Sequence, residues 1–272
     1  MKKSALFKWF FLLLSVIAIS RFCHHQTKGF ALYKIRDNLP LDTTFEYGHI
    51  DHSFFEQKFY FLSRGKQSFV FVSEDGQHVI KLFDNKHQRY PLSFFQDTEK
   101  ARKAFKSYAL AFNEMQNQTA LVYVHAKKTS TLPAKLSIMD KLNIEHILNP
   151  NEVAFLVQKR VQPAYPTLLQ FIQEKRWEEA KAAIASLVQI FIWKHQHEIA
   201  DSDPLIRTNY GFLGTQAIQI DLGSLYKKVV TKEIFALELK RITDSLRDFL
   251  THEAPELVTT LEEELEKSLS SF

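Results

Sequence analysis

The stretch from Ile199 to Leu225 gathers three carboxylates (Asp201, Asp203, Asp221) and one amide (Asn209) between apolar segments, and it holds three of the seven glycines. Gln216 to Ile220 alternates polar and apolar residues and then runs into Asp221-Leu222-Gly223, the pattern of a strand that ends in an acid and a turn. An acid at a strand end, with an asparagine twelve residues upstream, offers the hard oxygen ligands that Mg2+ prefers; the ion takes its remaining ligands from phosphate and water. The same residues also suit an Asx-rich connection in which Asp and Asn only cap turns. Both readings stand on this window alone.

Composition narrows the chemistry. The chain has 272 residues, 45% of them hydrophobic, with a net charge of +4, enough apolar matter for one large domain or two lobes with their own cores. Lysine and arginine are spread along the chain, without a basic arm or a basic-aromatic repeat, so no nucleic-acid partner is expected. Twenty-four phenylalanines point to a dense aromatic core. One cysteine, Cys23, excludes an internal disulfide framework and a cysteine-based zinc site. Neither HxxxH nor HExxH occurs, which sets a zinc hydrolase aside.

The elements that position these residues can be followed from the N-terminus. Lys2, Lys3 and Lys8 precede the apolar run Trp9–Ile19, whose eleven residues match the apolar part of a signal peptide and fall short of the roughly 20 needed to span a bilayer. No small-x-small cleavage site follows, and Ser20-Arg21-Phe22 before Cys23 is not a lipoprotein signal. A cleaved signal and an uncleaved short anchor are both open, and membrane association through residues 6–22 is expected. Residues 24–56 read as a linker leading into an edge element.

From Phe59 the pattern becomes strand, turn, strand, hairpin, strand. Phe59–Leu62, Phe69–Val72 and Val79–Phe83 are the strands, and Asp75-Gly76 is the hairpin turn between the last two. Lys81 stands in the third strand between Ile80 and Leu82, so it must point out of the pleat opposite to both. Residues 94–118 read as a helix bearing Glu99 and Glu114. Two further strands are expected at 136–139 and 153–161, followed by a hinge at Pro163–Pro166. Beyond it the chain reads as helical at 168–174, 176–199, 232–250 and 255–269, apart from the acidic stretch. Ile184, Leu187, Val188, Phe191, Ile192 and His195 share one face of the second of these helices, where His195 reads as a packing residue. Pro255 suits a first helical turn. Glu262–Glu264 is a solvated face.

Five strands with one helix, a proline hinge, two helices, an acidic loop, a strand ending in Asp-x-Gly and a helical tail resemble the protein-kinase-like fold in a compact atypical bacterial form. The resemblance covers residues 57–250, and kinases acting on lipopolysaccharide sugars are the nearest functional analogue. It implies an α+β, two-lobed protein. The N-lobe would be 57–162, an antiparallel five-stranded sheet plus helix, and the helical C-lobe 163–272, with the acidic loop at 199–225. Gly65 to Val72, with Ser68, falls where the family has its glycine-rich loop over ATP, with one glycine remaining. Lys81 resembles the lysine of the α- and β-phosphates, and Glu114 the helix glutamate paired with it, Glu99 being the alternative. Asn209 and Asp221 resemble the metal-binding asparagine and aspartate.

The family places its catalytic aspartate five residues before the asparagine, where this chain has Pro204. Asp203 and Asp201, at minus six and minus eight, are the two candidates for that role. Neither a His-Arg-Asp triplet nor an Ala-Pro-Glu segment occurs, so an ordinary Ser/Thr or Tyr protein kinase is not expected. The resemblance therefore implies ATP- and Mg2+-dependent phosphotransfer to a small hydroxylated, sugar or lipid-linked substrate. The alternative is a membrane-associated pseudokinase that keeps the fold to hold a protein partner. A third reading is an α+β interaction protein whose acids only cap turns.

Overall fold

The computed structural model describes residues 2–36, 39, 45–84 and 98–270. Its strands are β1 (Phe45–Gly48), β2 (Lys58–Arg64), β3 (Ser68–Ser73), β4 (His78–Phe83), β5 (Leu121–Ala126), β6 (Leu136–Met139), β7 (Glu145–Leu148), β8 (Phe155–Lys159), β9 (Gln162–Pro163), β10 (Ile199–Asp201), β11 (Tyr210–Leu213), β12 (Gln216–Gln219) and β13 (Leu225–Lys227). Its helices are α1 (Lys2–Gln26), α2 (Thr98–Glu114), α3 (Gln116–Thr119), α4 (Ala164–Gln173), α5 (Trp177–Gln196), α6 (Ile206–Asn209), α7 (Lys232–Glu253) and α8 (Glu256–Ser270). Two compact units divide the chain: residues 1–98 with 125–157, and residues 99–124 with 158–272.

In the first unit, β2, β3 and β4 form the antiparallel meander that the alternating sequence suggests, with Phe69 opposite Leu82 and Phe71 opposite Ile80. All four of those side chains are fully buried. The full sheet has eight strands in the order β1-β5-β8-β4-β3-β2-β6-β7, rather than five, and it is mixed, because β6 runs parallel to β2. β1 and β7 are short and carry no clear alternation, whereas β5, Leu121-Val122-Tyr123-Val124-His125-Ala126, is the continuous apolar run of a buried strand. The hairpin β6–β7 turns through Asn143 at φ 60°. It is tied by Asp140, whose Oδ1 accepts the N–H groups of Leu142 (2.8 Å) and Ile144 (3.0 Å) while Oδ2 meets His146 Nε2 at 2.9 Å.

The described residues between 23 and 56, expected to be a linker, include core positions. Phe30, Ile35, Ile50 and Phe55 are buried, and Phe30 lies edge-on to Phe69 and Phe71 with ring centroids 5.3 and 5.7 Å apart. These apolar residues follow no helical or strand period, and Phe55 meets Phe155 of β8 edge-on at 6.2 Å. Among the described residues no helix is long and apolar enough to cross a membrane.

The second unit is organised on α5. Its Ile184, Leu187, Val188 and Phe191 pack with Phe212 and Ala217 of the β11–β12 hairpin, Leu239, Leu246 and Leu250 of α7, and Leu257, Leu261 and Leu265 of α8. Pro163–Pro166, expected as a hinge, lies in regular structure within the second unit. Pro163 pairs with Gly211 as part of β9, and Pro166 occupies the first turn of α4, where its missing N–H costs nothing. Gly211 has a packing reason to be glycine, because a Cβ there would collide with the Gln162 carbonyl. Gly214 turns the β11–β12 hairpin at φ +62° with open space around it, so conformation alone selects it.

Candidate functional site

Within the second unit, β10 leads from α5 into the acidic loop, and β11 and β12 bring the loop's two ends together. Tyr210 stands opposite Gln219, and the Ile220 N–H donates to the Asn209 carbonyl at 2.7 Å. Asn209 at the entry of β11 and Asp221 just past β12 are therefore neighbours across the strand pair, although twelve residues separate them.

Asn209 is buried and its amide is oriented. Nδ2 donates to the Asp203 carbonyl at 2.6 Å, and Oδ1 accepts from Thr208 Oγ1 at 2.8 Å. A carbonyl can only accept, so Nδ2 must face Asp203 and Oδ1 remains the oxygen that a cation would meet. Asp221 is exposed, and its Oδ1 accepts the Gly223 N–H at 3.2 Å. Buried Ser107 on α2 closes the turn after it, donating to the Leu222 carbonyl and accepting from Leu225 N–H at 2.7 Å. Burial pushes the neighbouring Tyr108 hydroxyl far up, and the Asp221 charge adds to the shift.

The two candidate aspartates are separated by their surroundings. Asp201 has a side chain only 2% exposed, 3.5 Å from Lys194 Nζ. Its Oδ1 accepts from Ser224 Oγ (2.6 Å) and from the Asp203 N–H (2.9 Å), and its Oδ2 accepts from Gln219 Nε2 (2.6 Å). That carboxylate is committed to internal partners. Lys194 donates to Tyr210 Oη at 2.8 Å and Gln219 Oε1 at 3.2 Å. Burial lowers the proton affinity of Lys194, and the Asp201 charge works in the opposite direction. Asp203 is held through its main chain on both sides, and it lines a hollow of about 480 Å3 together with Asp201, Pro204, Leu205, Tyr226 and Phe235. His195, at the edge of the same hollow, lies flat on Phe235 with ring centroids 4.0 Å apart, and burial lowers its pKa.

Glu114 ends α2, and its carboxylate pairs with Lys227 of β13, whose Nζ also donates to the His197 carbonyl at 3.0 Å. This tie lies within the second unit. The side chain of Glu99 lies outside the described residues.

Gly65, Ser68 and Lys81 belong to the first unit. The short turn after β2 is closed by Gly65 N–H donating to the Ser68 carbonyl at 2.9 Å. A Cβ at Gly65 would meet only Ser68 atoms at 3.7 Å, so the fold itself places no demand for glycine there. Lys81 is buried on β4 opposite Val70, on the pleat face opposite to Ile80 and Leu82, as the alternation requires.

Sequence reasoning missed Lys194, Gln219 and Ser107. Lys194 carried a signal, since it falls seven residues after Leu187 and three after Phe191, on the buried stripe of α5. Ser107 carried none, because a serine in an amphipathic helix is unremarked. Among the described residues no group of three or more His, Cys, Asp or Glu side chains is placed to hold a metal ion. A divalent cation at Asn209 and Asp221 would share its coordination with phosphate and water.

No family model and no curated protein matches the chain. It is similar to solved kinase chains. A structure of WbdD matches over 77% of this chain and 46% of its own, at 13% identity and TM-score 0.41, and the bifunctional kinase-methyltransferase WbdD in another structure gives 13% and 0.39 over 75% and 43%. A rhoptry antigen kinase domain from Toxoplasma gondii matches over 70% and 57%, at 11% identity and TM-score 0.36. The chain spans about half the length of these solved chains.

Proposed function

We propose that the protein is a kinase-like phosphotransferase that uses ATP with Mg2+ and phosphorylates a hydroxyl of a small hydroxylated, sugar or lipid-linked acceptor. The observation that carries this reading is the hydrogen bond from Ile220 N–H to the Asn209 carbonyl. It brings the main chain of Asn209 against Ile220, the residue before Asp221, and the Asn209 amide holds the Asp203 carbonyl. Asn209 and Asp221 offer the hard oxygen donors that Mg2+ takes, and the ion when bound would supply positive charge against the transferring phosphate.

Asp203 is the residue assigned to the acceptor. Its carboxylate takes the proton as the acceptor oxygen bonds to the γ-phosphorus and the bond from phosphorus to the β-bridging oxygen breaks, leaving ADP. Asp201 has a different role, holding the loop in shape through Ser224, Gln219 and Lys194. Lys81 is assigned to the nucleotide phosphates as a counter-charge. Phosphoryl transfer asks mainly for positioning and charge balance, the roles proposed for these residues.

The test is transfer of labelled γ-phosphate to a panel of hydroxylated acceptors by wild type and Asp203→Asn. Loss of transfer in that variant, with the fold intact, is expected. Undiminished transfer would remove Asp203 from the role.

A second reading, a pseudokinase that binds a protein partner, is favoured by Gly65. Its turn closes on itself and does not require glycine. That reading expects no stabilisation by ATP and Mg2+.

A further inference from the structure

Helix α1 is apolar on every side. Trp9, Phe10, Phe11, Leu12, Leu13, Leu14, Val16, Ile17, Ile19 and Phe22 are all exposed, between 43% and 70%. An apolar surface of this extent on a water-soluble monomer is uncommon and marks an interaction site. The charge around it is one-sided: the first 36 residues contain seven Lys or Arg and no Asp or Glu. A protein groove could cover one face of such a helix, but a helix apolar all round with basic ends matches the hydrocarbon and anionic headgroups of a lipid leaflet. Trp9, beside Lys8, is the residue type that sits at the headgroup boundary.

The C-terminal end of α1 is built into the first unit. Thr27 Oγ1 donates to the Cys23 carbonyl at 3.0 Å, and Gly29 N–H to the His24 carbonyl at 2.8 Å. Gly29 adopts φ +70°, and a Cβ there would collide with the Arg64 guanidinium and the His24 ring. Arg64 Nη1 donates to the Lys28 carbonyl at 3.2 Å, and Phe30 plugs the core beside Phe69 and Phe71. The last turn of the helix, the glycine cap and the plug are one packed piece. The exposed part of α1 before Cys23 runs into that piece as one continuous helix.

We propose that α1 is a retained anchor that seats the first unit on a bilayer rich in anionic lipid. The apolar run Trp9–Ile19 is about 16 Å long at 1.5 Å per residue, about half the hydrocarbon thickness, so it does not span; it lies along one leaflet beneath the headgroups, where Lys8 and Arg21 at its two ends both reach anionic lipid. This inference does not depend on the phosphotransferase reading.

Flotation of the full chain with vesicles tests it. Vesicles of phosphatidylcholine with one quarter phosphatidylglycerol are compared with phosphatidylcholine alone, and intact mass is read on the floated protein. The expected result is recovery with the anionic vesicles carrying residues 1–22, at least ten-fold lower recovery on neutral vesicles, and a similar ten-fold loss for the double variant Leu13→Asp with Ile17→Asp. Circular dichroism of that variant should match wild type, since both side chains are exposed. Recovery that ignores the lipid charge or the double variant, failure to float, or a mass lacking the helix would each overturn the proposal.

Discussion

Lys194 Nζ lies 3.5 Å from the Asp201 carboxylate, and the two side chains are 5% and 2% exposed. A buried ion pair adds little net stability when made, but removing one partner strands the other charge. The pair therefore reads as a device for holding shape: it fixes the end of α5 to the start of the acidic loop, and Gln219 extends the hold from Asp201 to the Asp221 carbonyl at 3.0 Å.

Lys194→Met should cost about 3–5 kcal/mol of stability, the usual consequence of stranding one buried charge. Chemical denaturation monitored by circular dichroism measures it. A loss under about 1 kcal/mol would mean that the pair is solvated in solution.

The two aspartates should separate cleanly. Asp201→Asn replaces an acceptor with a donor facing Gln219 Nε2 and leaves Lys194 unbalanced, so a drop of several kcal/mol in stability is expected. Asp203→Asn should keep the wild-type melting temperature while phosphate transfer falls by about 10²–10⁴-fold, the range of a lost general base. The reverse pattern would exchange their roles.

Much of this was legible in the order of residues alone. The β2–β3–β4 meander announces itself through Asp75-Gly76 and the alternation around it, and α5 through its apolar stripe. The interval singles out Asn209 and Asp221, but the β11–β12 hairpin that brings Asn209 against Ile220 is not legible, since alternation marks only residues 216–220. The sequence did not distinguish Asp201 from Asp203, since burial by Lys194, Gln219 and Ser224 is a property of packing across elements far apart in the chain. Nor could spacing reveal that Glu114 meets Lys227. Buried Phe30 and Ile35 were not legible, because core residues that follow no period give no pattern.

Two glycines offer a contrast. Gly211→Ala should destabilise by about 1–3 kcal/mol, as overpacking does, because the new Cβ meets the Gln162 backbone. Gly65→Ala should stay within about 0.5 kcal/mol of wild type, its nearest contact being 3.7 Å. Thermal melts of both variants decide the point, and a costly Gly65→Ala would show a constraint in that turn beyond packing.

Acid should act on the β6–β7 hairpin through Asp140. Burial pushes its carboxyl up, but the His146 contact and the N–H groups of Ile144 and Leu142 more than offset this, leaving it below its ordinary value of 3.8. A carboxyl lowered on folding stabilises the native state above the unfolded value and loses that contribution as pH falls through the folded one. Stability should therefore decline below pH 3.8, and Asp140→Asn should flatten that decline. An identical slope in the variant would assign the acid sensitivity elsewhere.

Nucleotide and metal binding by this protein should require both Lys81 and Asp221, and everything proposed for its chemistry rests on that requirement. The most direct test is the melting temperature of the full chain with and without millimolar ATP and Mg2+, in wild type, Lys81→Ala and Asp221→Ala. A ligand at a hundred-fold excess over its dissociation constant stabilises by about 2.7 kcal/mol, a shift of several degrees for a protein of this size. That shift is expected in wild type only with Mg2+ present, and it should be lost in both variants. A wild-type melting temperature unmoved by ATP and Mg2+, or a shift that survives in either variant, would contradict the requirement.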